Sequence, residues 1–415
     1  MIGSPDVTAS RPADRPSGHS PAYPQATPAT RSALMAALLA LGALLCAGVL
    51  ATATGCGGDV PPAAGQTVAG AETVAVSPSD PSSVSPSASG QPSASPSASS
   101  TVETPSASPS PNISPSPTVS PSPTSARRFQ RYRFVRAWGK RGSKPGQFVL
   151  PKGIAVDAEG FVYVVDKGNS RIQKFTESGR RVATWGRFGR ARGEFRAPSR
   201  VAIDARGLVY VADGGNHRIQ VFKSDGTFVR AWGREGDGHG QFRLPLGVAI
   251  GRHGWVYVSD KEGDRLQRFT ARGRFLSAWG HTGRRPGRFR EPDDVQVGPD
   301  GRVYVSDSDN QRVQVFTARG RLVAVIGRRG DGRGEFREPR GIAIRPDGLL
   351  LVCESAGQRI QEFSPKYRSL GFWGREGTAP GSFDGPRAIA LAPDGLLFVA
   401  DMWNHRVQCF APAGG

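Results

Sequence analysis

The chain has 415 residues, a formal net charge of +19 and four cysteines. With no Cys-x-x-Cys pair among them, the sequence excludes a disulfide framework and a RING-type zinc-ligand set. The charge is unevenly placed: residues 1–126 carry Arg11, Arg15 and Arg31 against Asp6, Asp14, Asp59, Glu72, Asp80 and Glu103, three minus six or −3, so residues 127–415 carry +22 and anionic partners are expected.

Residues 1–32 are polar, Pro-rich and aperiodic, the composition of a disordered segment too short to fold into a signalling domain. Ala33 to Leu50 follows as 18 residues without a charge. Arg31 precedes it and the next Lys or Arg is Arg127, which by the positive-inside rule leaves the N-terminus in the cytoplasm and everything after the segment outside. At that length the segment reads as a signal-peptide core or as a short spanning helix. Ala53-Thr-Gly-Cys56 resembles a lipobox without its usual Leu, so residues 33–56 are expected to tether the chain to the membrane either by lipidation of Cys56 or as an uncleaved signal anchor. Residues 57–126 are a Ser/Pro-rich linker that cannot bury enough apolar surface to fold. Pro-rich chain extends about 3.1 Å per residue, so this stalk reaches on the order of 200 Å when fully drawn out.

From residue 127 onward one phrase recurs at a fixed 47-residue step. Its copies begin at Asp166, Asp213, Asp260, Asp307, Glu354 and Asp401, and the columns starting at Trp138, Phe148 and Pro151 keep the same step. Such a period marks a solenoid, a propeller or an array. Within one unit, Gly153-Ile-Ala-Val-Asp157, Phe161-Val-Tyr-Val-Val165, Arg171-Ile-Gln-Lys-Phe175 and Arg181-Val-Ala-Thr-Trp185 are four short strands separated by turn residues. The first two are near-continuous apolar runs, as strands covered on both faces must be. The last unit lacks its fourth strand, while Phe134-Val-Arg-Ala-Trp138 stands as an orphan fourth strand before the first. Pairing the two closes a ring and leaves no open end. The expectation is an all-β, six-bladed β-propeller of four-stranded blades spanning 127–415.

The units, with Gly-x-Phe, Pro-x-Gly-Ile-Ala-Val-Asp, Val-Tyr-Val-Ala-Asp, Asn-x-Arg-Ile-Gln-x-Phe and a closing Trp-Gly, resemble the NHL repeat. The resemblance implies a binding scaffold in most members; some relatives read single-stranded RNA on a basic face, and a related branch is enzymatic and uses metal. Shape is implied, and activity has to come from particular residues.

The Asp, Asn and Arg of the phrase recur in unit after unit, so a structural role is expected for them: Asn at a tight turn, Asp paired with Arg. Function is expected where the units differ, on the face that the resemblance assigns to the loop entering the innermost strand and the loop between the second and third strands. That face collects Lys152, Arg200, Arg340 and Arg387 as a basic arc, Asp293 and Asp294 as an acidic one, and Lys167, Met402 and Trp403 beside them, the last two as apolar anchors. A noncatalytic module that binds a protein or an anionic polymer of the cell envelope, without cofactor or metal and as a monomer, fits these residues. RNA satisfies the same charges but sits poorly with export. The alternative, a metal-dependent lyase or lactonase-like enzyme, needs several His or carboxylate ligands converging on the axis. Asp293 and Asp294 alone are placed for that; His217 and His405 stand in the phrase itself, and His239, His253 and His281 fall on separate loops.

Overall fold

The structure is a computed structural model that describes residues 132–413. The expected tether at 33–56 with Cys56, the expected linker 57–126 and the N-terminal 32 residues lie outside them. Among the described residues no helix is long and apolar enough to cross a membrane.

Blade 1 consists of β2 (Pro151–Val156), β3 (Val162–Asp166), β4 (Arg171–Phe175) and β5 (Arg181–Trp185), each paired antiparallel with the next. The same four-strand unit recurs as β6–β9 (residues 198–232), β10–β13 (245–279), β14–β17 (292–326) and β18–β21 (339–373), blades 2 to 5. Blade 6 holds β22 (Pro386–Leu391), β23 (Leu397–Asp401) and β24 (Arg406–Pro412), and its fourth strand is β1 (Tyr132–Trp138) from the start of the domain. The pairing runs from Tyr132 opposite Pro412 to Trp138 opposite Val407. The closure expected from the orphan strand is therefore present. The innermost strands touch in ring order β2, β6, β10, β14, β18, β22 and back to β2.

Burial follows the apolar runs. All five residues of each second strand, such as β3, are buried, whereas β5 on the outer rim is half exposed. Cores form between blades rather than within them: Tyr163, Val165 and Ile172 of blade 1 pack with Val201, Val209, Val211 and Phe222 of blade 2. The Phe column, Phe148, Phe195, Phe242, Phe289, Phe336 and Phe383, is fully buried. Cys353 and Cys409 are free and buried.

The recurring phrase is a clamp on the loop that enters each blade. Asp166 Oδ1 accepts from Val149 N at 2.8 Å; its Oδ2 accepts from Asn169 Nδ2 and Arg171 Nε at 2.8 Å and from Gln173 Nε2 at 3.2 Å. Arg171 then donates to the carbonyls of Ser143, Lys144 and Gln147. Asp213 in blade 2 and Asp401 in blade 6 bind the corresponding set. The structural reading of these residues holds, with one refinement: the left-handed turn conformation belongs to the residue after Asn, at Ser170, His217, Gln311 and His405. Asn itself ties the clamp to the carbonyl of Gly142 and its equivalents.

Candidate functional site

The clamp brings the loop entering β2 against the turn between β3 and β4, where Gly168 N donates to Val149 O at 2.8 Å. Both loops thus lie on one face of the ring, as the resemblance implied. At the entrance of each innermost strand the ladder slips, between Pro151 and Gly153 in blade 1 and between Pro292 and Val295 in blade 4. A bulge of this kind re-aims side chains. Here it gathers the residues after Pro at the axis.

Asp293 is the hub of that gathering. Its Oδ1 lies 2.7 Å from Arg200 Nη2 of blade 2; its Oδ2 lies 3.0 Å from Arg340 Nη1 of blade 5 and 3.9 Å from Arg387 Nη2 of blade 6. Asp294 Oδ1 is 3.2 Å from Arg200 Nε, and its Oδ2 accepts from Ile342 N at 3.0 Å. Arg340 also reaches Glu338 at 3.1 Å. Asp293 and Asp294 are 1% and 2% exposed, and Lys152, Arg200 and Arg340 are buried as well. The basic and acidic arcs are therefore not separate regions of a surface. They interlock across the axis, because buried charges need partners.

The electrostatics follow from this arrangement. Burial alone would raise the Asp293 carboxyl, but Arg200, Arg340 and Arg387 together hold it well below the usual carboxylate range. Asp294, beside the Asp293 charge and with Arg200 as its counter-ion, is raised, chiefly by burial. Arg387 is pushed down to about 10 by burial and by Arg340. Burial lowers the Lys152 ammonium well below its usual range, against the attraction of Asp293. Lys167 is lowered by burial, then by Arg387 and Lys261.

Met402 is buried and is not an exposed anchor; its neighbour Trp403 is 44% exposed. The chain turns through Gly385, where an added Cβ would come 2.3 Å from Trp403 Cδ1. Of the expected residues, Lys167, Arg387 and Trp403 reach solvent on this face; Lys152, Arg200, Asp293, Asp294 and Arg340 lie in the network beneath. One contributor escaped the sequence reading. Phe188, 69% exposed, edges a cleft of about 760 Å³ on the loop entering blade 2, shared with Arg190, Arg196, His217, Arg234 and Glu235. Arg196 lies 5.5 Å from the Phe188 ring centroid. Its signal was present: Phe188 is the one aromatic residue in a column of Arg141, Glu235, Thr282, Arg329 and Glu376.

The two histidines of the phrase join neighbouring blades. His217 Nδ1–H donates to Arg243 O at 2.7 Å, and His405 Nδ1 accepts from Leu150 N at 3.2 Å across the closing seam. Gln311 and Gln358 make the equivalent contact through Oε1, each at 2.7 Å. Burial and then Arg141 lower His405 below the ordinary histidine value. Its folded pKa is thus below its unfolded one, so the seam's contribution is complete above the unfolded value of about 6.5 and is lost as pH falls through the folded value. His405→Gln keeps an acceptor that does not titrate. The variant is expected to lose less thermal stability than the native protein between about pH 7.5 and about pH 5.5; equal losses would show that the seam does not titrate.

Among the described residues no three His, Cys, Asp or Glu side chains form a group that could hold a metal ion. The central channel below the charged network, about 220 Å³, is walled by apolar side chains, Ile154, Val156, Ile203, Ile344 and Leu391 among them, with Gln296 as a polar exception.

Comparison with known proteins adds the family. The NHL repeat profile matches residues 148–175, 195–222, 289–316 and 383–410, in blades 1, 2, 4 and 6. The two unmatched units are those in which Gly263 and Gly357 replace the clamp Asn. A 55-residue stretch is 44% identical to human E3 ubiquitin-protein ligase TRIM32, covering 13% of this chain and 8% of that protein. Among solved structures, a structural genomics protein of unknown function from Bacteroides thetaiotaomicron superposes with a TM-score of 0.54 at 19% identity, over 68% of this chain and 76% of its own. A gluconolactonase from Xanthomonas campestris does so with a TM-score of 0.50 at 14% identity, over 68% and 100%. At these identities the structures share a fold and nothing more. With four matched repeats, six blades of the same pattern and a ring closed by its first strand, the chain carries an NHL-repeat β-propeller and belongs to the NHL-repeat family.

Proposed function

We propose that the chain is a noncatalytic scaffold that carries its propeller on the outer side of the cytoplasmic membrane and holds an acidic segment of a partner protein on the face described above. The observation that carries this reading is the combination on one face of exposed aromatic side chains, Trp403 and Phe188, with two cations that reach solvent there: Lys167, which forms no ion pair among the described residues, and Arg387, which lies 3.9 Å from the Asp293 carboxylate it shares with Arg200 and Arg340. Aromatic and arginine side chains are the residues that most often anchor interfaces, and the +22 charge of residues 127–415 steers an acidic partner toward them. The uncharged segment 33–50, followed by no basic residue before Arg127, supports the outward orientation. The Ser/Pro-rich stretch supplies the reach.

The test immobilises the protein and a Lys167→Glu/Arg387→Glu/Trp403→Ala variant, and exposes both to envelope extract. The native protein is expected to retain a protein that the variant releases, and raising the salt to about 1 M, where the screening length is roughly 3 Å, is expected to elute it. Retention of a phosphate-bearing wall polymer instead would assign the face to that class. Retention that neither the substitutions nor salt disturbs would sink the reading.

A further inference from the structure

The network at the axis is not electrically complete. Lys152, Lys167, Arg200, Arg340 and Arg387 surround two buried carboxylates, Asp293 and Asp294; Glu338, half exposed at the edge, pairs with Arg340 and also lies within electrostatic reach of Arg387. Asp293 engages arginines with both oxygens, and Asp294 divides its own among Arg200, Val295 N and Ile342 N. Nothing remains for Lys152. It is 7% exposed, and among the described residues its ammonium makes no hydrogen bond or ion pair, although its nitrogen is not fully enclosed as the Nε atoms of Arg340 and Arg387 are. The buried Nε atoms of Arg340 and Arg387 also lack an acceptor, and Arg387 has only Ser355 Oγ at 3.5 Å and the distant edge of Asp293.

Unpartnered donors of one sign, held by the bulged starts of several blades, are expensive unless something with several acceptor oxygens sits among them. Water offers acceptors but does not neutralise the charge excess. A carboxylate brings one negative charge, whereas a phosphate or sulfate group brings about two together with a tetrahedral spread of oxygens. The opposite end of the channel is walled by apolar side chains and Gln296 and carries no cationic side chain, so the site is confined to the charged mouth.

We propose that the mouth of the central channel is a binding site for a dianionic tetrahedral oxyanion, phosphate or sulfate, held by Lys152, Lys167 and Arg387 above the Asp293 hub. The site rests on the reading of this face as the binding face, and it names the chemical group at the centre of that face. Free inorganic ions and a phosphate monoester at the end of a larger molecule share this chemistry.

Lys152 gives the site a signature that a diffuse basic surface lacks. Its ammonium is disfavoured by burial and by Arg387, Lys167 and Arg200, and is favoured by Asp293; Arg340 and Asp294 complete the charged surroundings. An arriving dianion favours the protonated form, so binding is expected to take up a proton and to weaken as pH rises. Sulfate is the cleaner probe, because its own charge stays constant over the range used.

The experiment titrates sulfate, inorganic phosphate and glycerol phosphate into the full-length protein at constant ionic strength, against chloride. It reads the thermal midpoint and, by calorimetry in buffers of different ionisation enthalpy, the protons exchanged. A saturable rise in midpoint with sulfate, proton uptake on binding, and loss of both in Lys152→Met support the site; removing a buried charge leaves that variant foldable. Lys167→Gln, at the solvent-exposed edge, is expected to weaken sulfate roughly tenfold, the factor given by about 1.4 kcal/mol. Competition by glycerol phosphate would extend the site to groups carried on larger molecules, and its failure would restrict it to free ions. No saturable response, or an equal response in Lys152→Met, overturns the proposal. Sulfate reads the axial mouth alone, so a sulfate response without a retained partner fails the proposed function and spares this site, and the reverse result does the opposite.

Discussion

Ile326→Trp is expected to destabilise the propeller even though Trp is the residue that five of the six units carry at that position. Trp138, Trp185, Trp232 and Trp279 each lie against a turn glycine of the following blade. A Cβ built on Gly179, Gly226, Gly273 or Gly320 would come 2.7 to 2.9 Å from the Cδ2 of the facing indole. In blade 5 the glycine of that column is Tyr367, and the Trp that would face it is Ile326. Tyr367 packs against the cluster containing Ile326, stacks edge-on to Tyr304 at 6.2 Å, and accepts from Arg302 Nη1 at 2.8 Å. The bulk has moved from one blade to the next. Putting Trp back opposite Tyr367 overpacks the seam, at a cost of about 1–3 kcal/mol. Tyr367→Gly alone empties the same volume, although it relieves a backbone φ of 63°. The double variant restores the pairing of the other seams. Its stability is expected to exceed the sum of the single effects by about 0.5–3 kcal/mol, measured by urea unfolding. Additive effects would show that the two positions do not share a seam.

That exchange also shows what a repeat sequence discloses. The fold was legible because every unit repeats it: blade number, strand order and the closing role of the first strand follow from a period and an orphan segment. The clamp of Asp, Asn, Arg and Gln was legible for the same reason. The Ile326 and Tyr367 exchange left a trace in two columns, but linking them requires knowing that a fourth strand packs on the next blade's hairpin, 41 residues onward. The site was legible as a list of residues and not as an arrangement. Lys152, Arg200, Asp293, Arg340 and Arg387 were assigned to one face as separate arcs, a division that assumed that blades 2 and 4 keep their charges apart. Bulged strand starts instead send Arg200 across to Asp293 and Asp294. No periodicity predicts a contact between unlike units. Met402 failed as an anchor because it turns inward while Trp403 turns out.

The hub carries the second large expected effect. Asp293→Asn removes the charge that Arg200, Arg340 and Arg387 share, and leaves buried cations without compensation. The expected loss is about 3–5 kcal/mol at neutral pH, the scale for breaking a buried pair from one side. Asp294→Asn should cost far less, since an amide oxygen still accepts from Ile342 N and the carboxyl it replaces is already raised by burial and by Asp293. The two carboxylates also differ in sign with pH. Asp293 has its pKa depressed on folding, so its contribution is complete above the unfolded value of about 3.9 and is lost only as pH falls below that toward the folded value. Asp294 has its pKa raised, so ionising it costs stability as pH rises from the unfolded toward the folded value. The gap between the native protein and Asp293→Asn should therefore stay constant from about pH 7 to about pH 5 and narrow below about pH 4. Urea midpoints at these three conditions decide the matter. A gap that closes already at pH 5, or an Asp294→Asn variant weaker than Asp293→Asn, would mean that the arginines are held by Asp294 and that Asp293 is not the residue joining blades 2, 5 and 6.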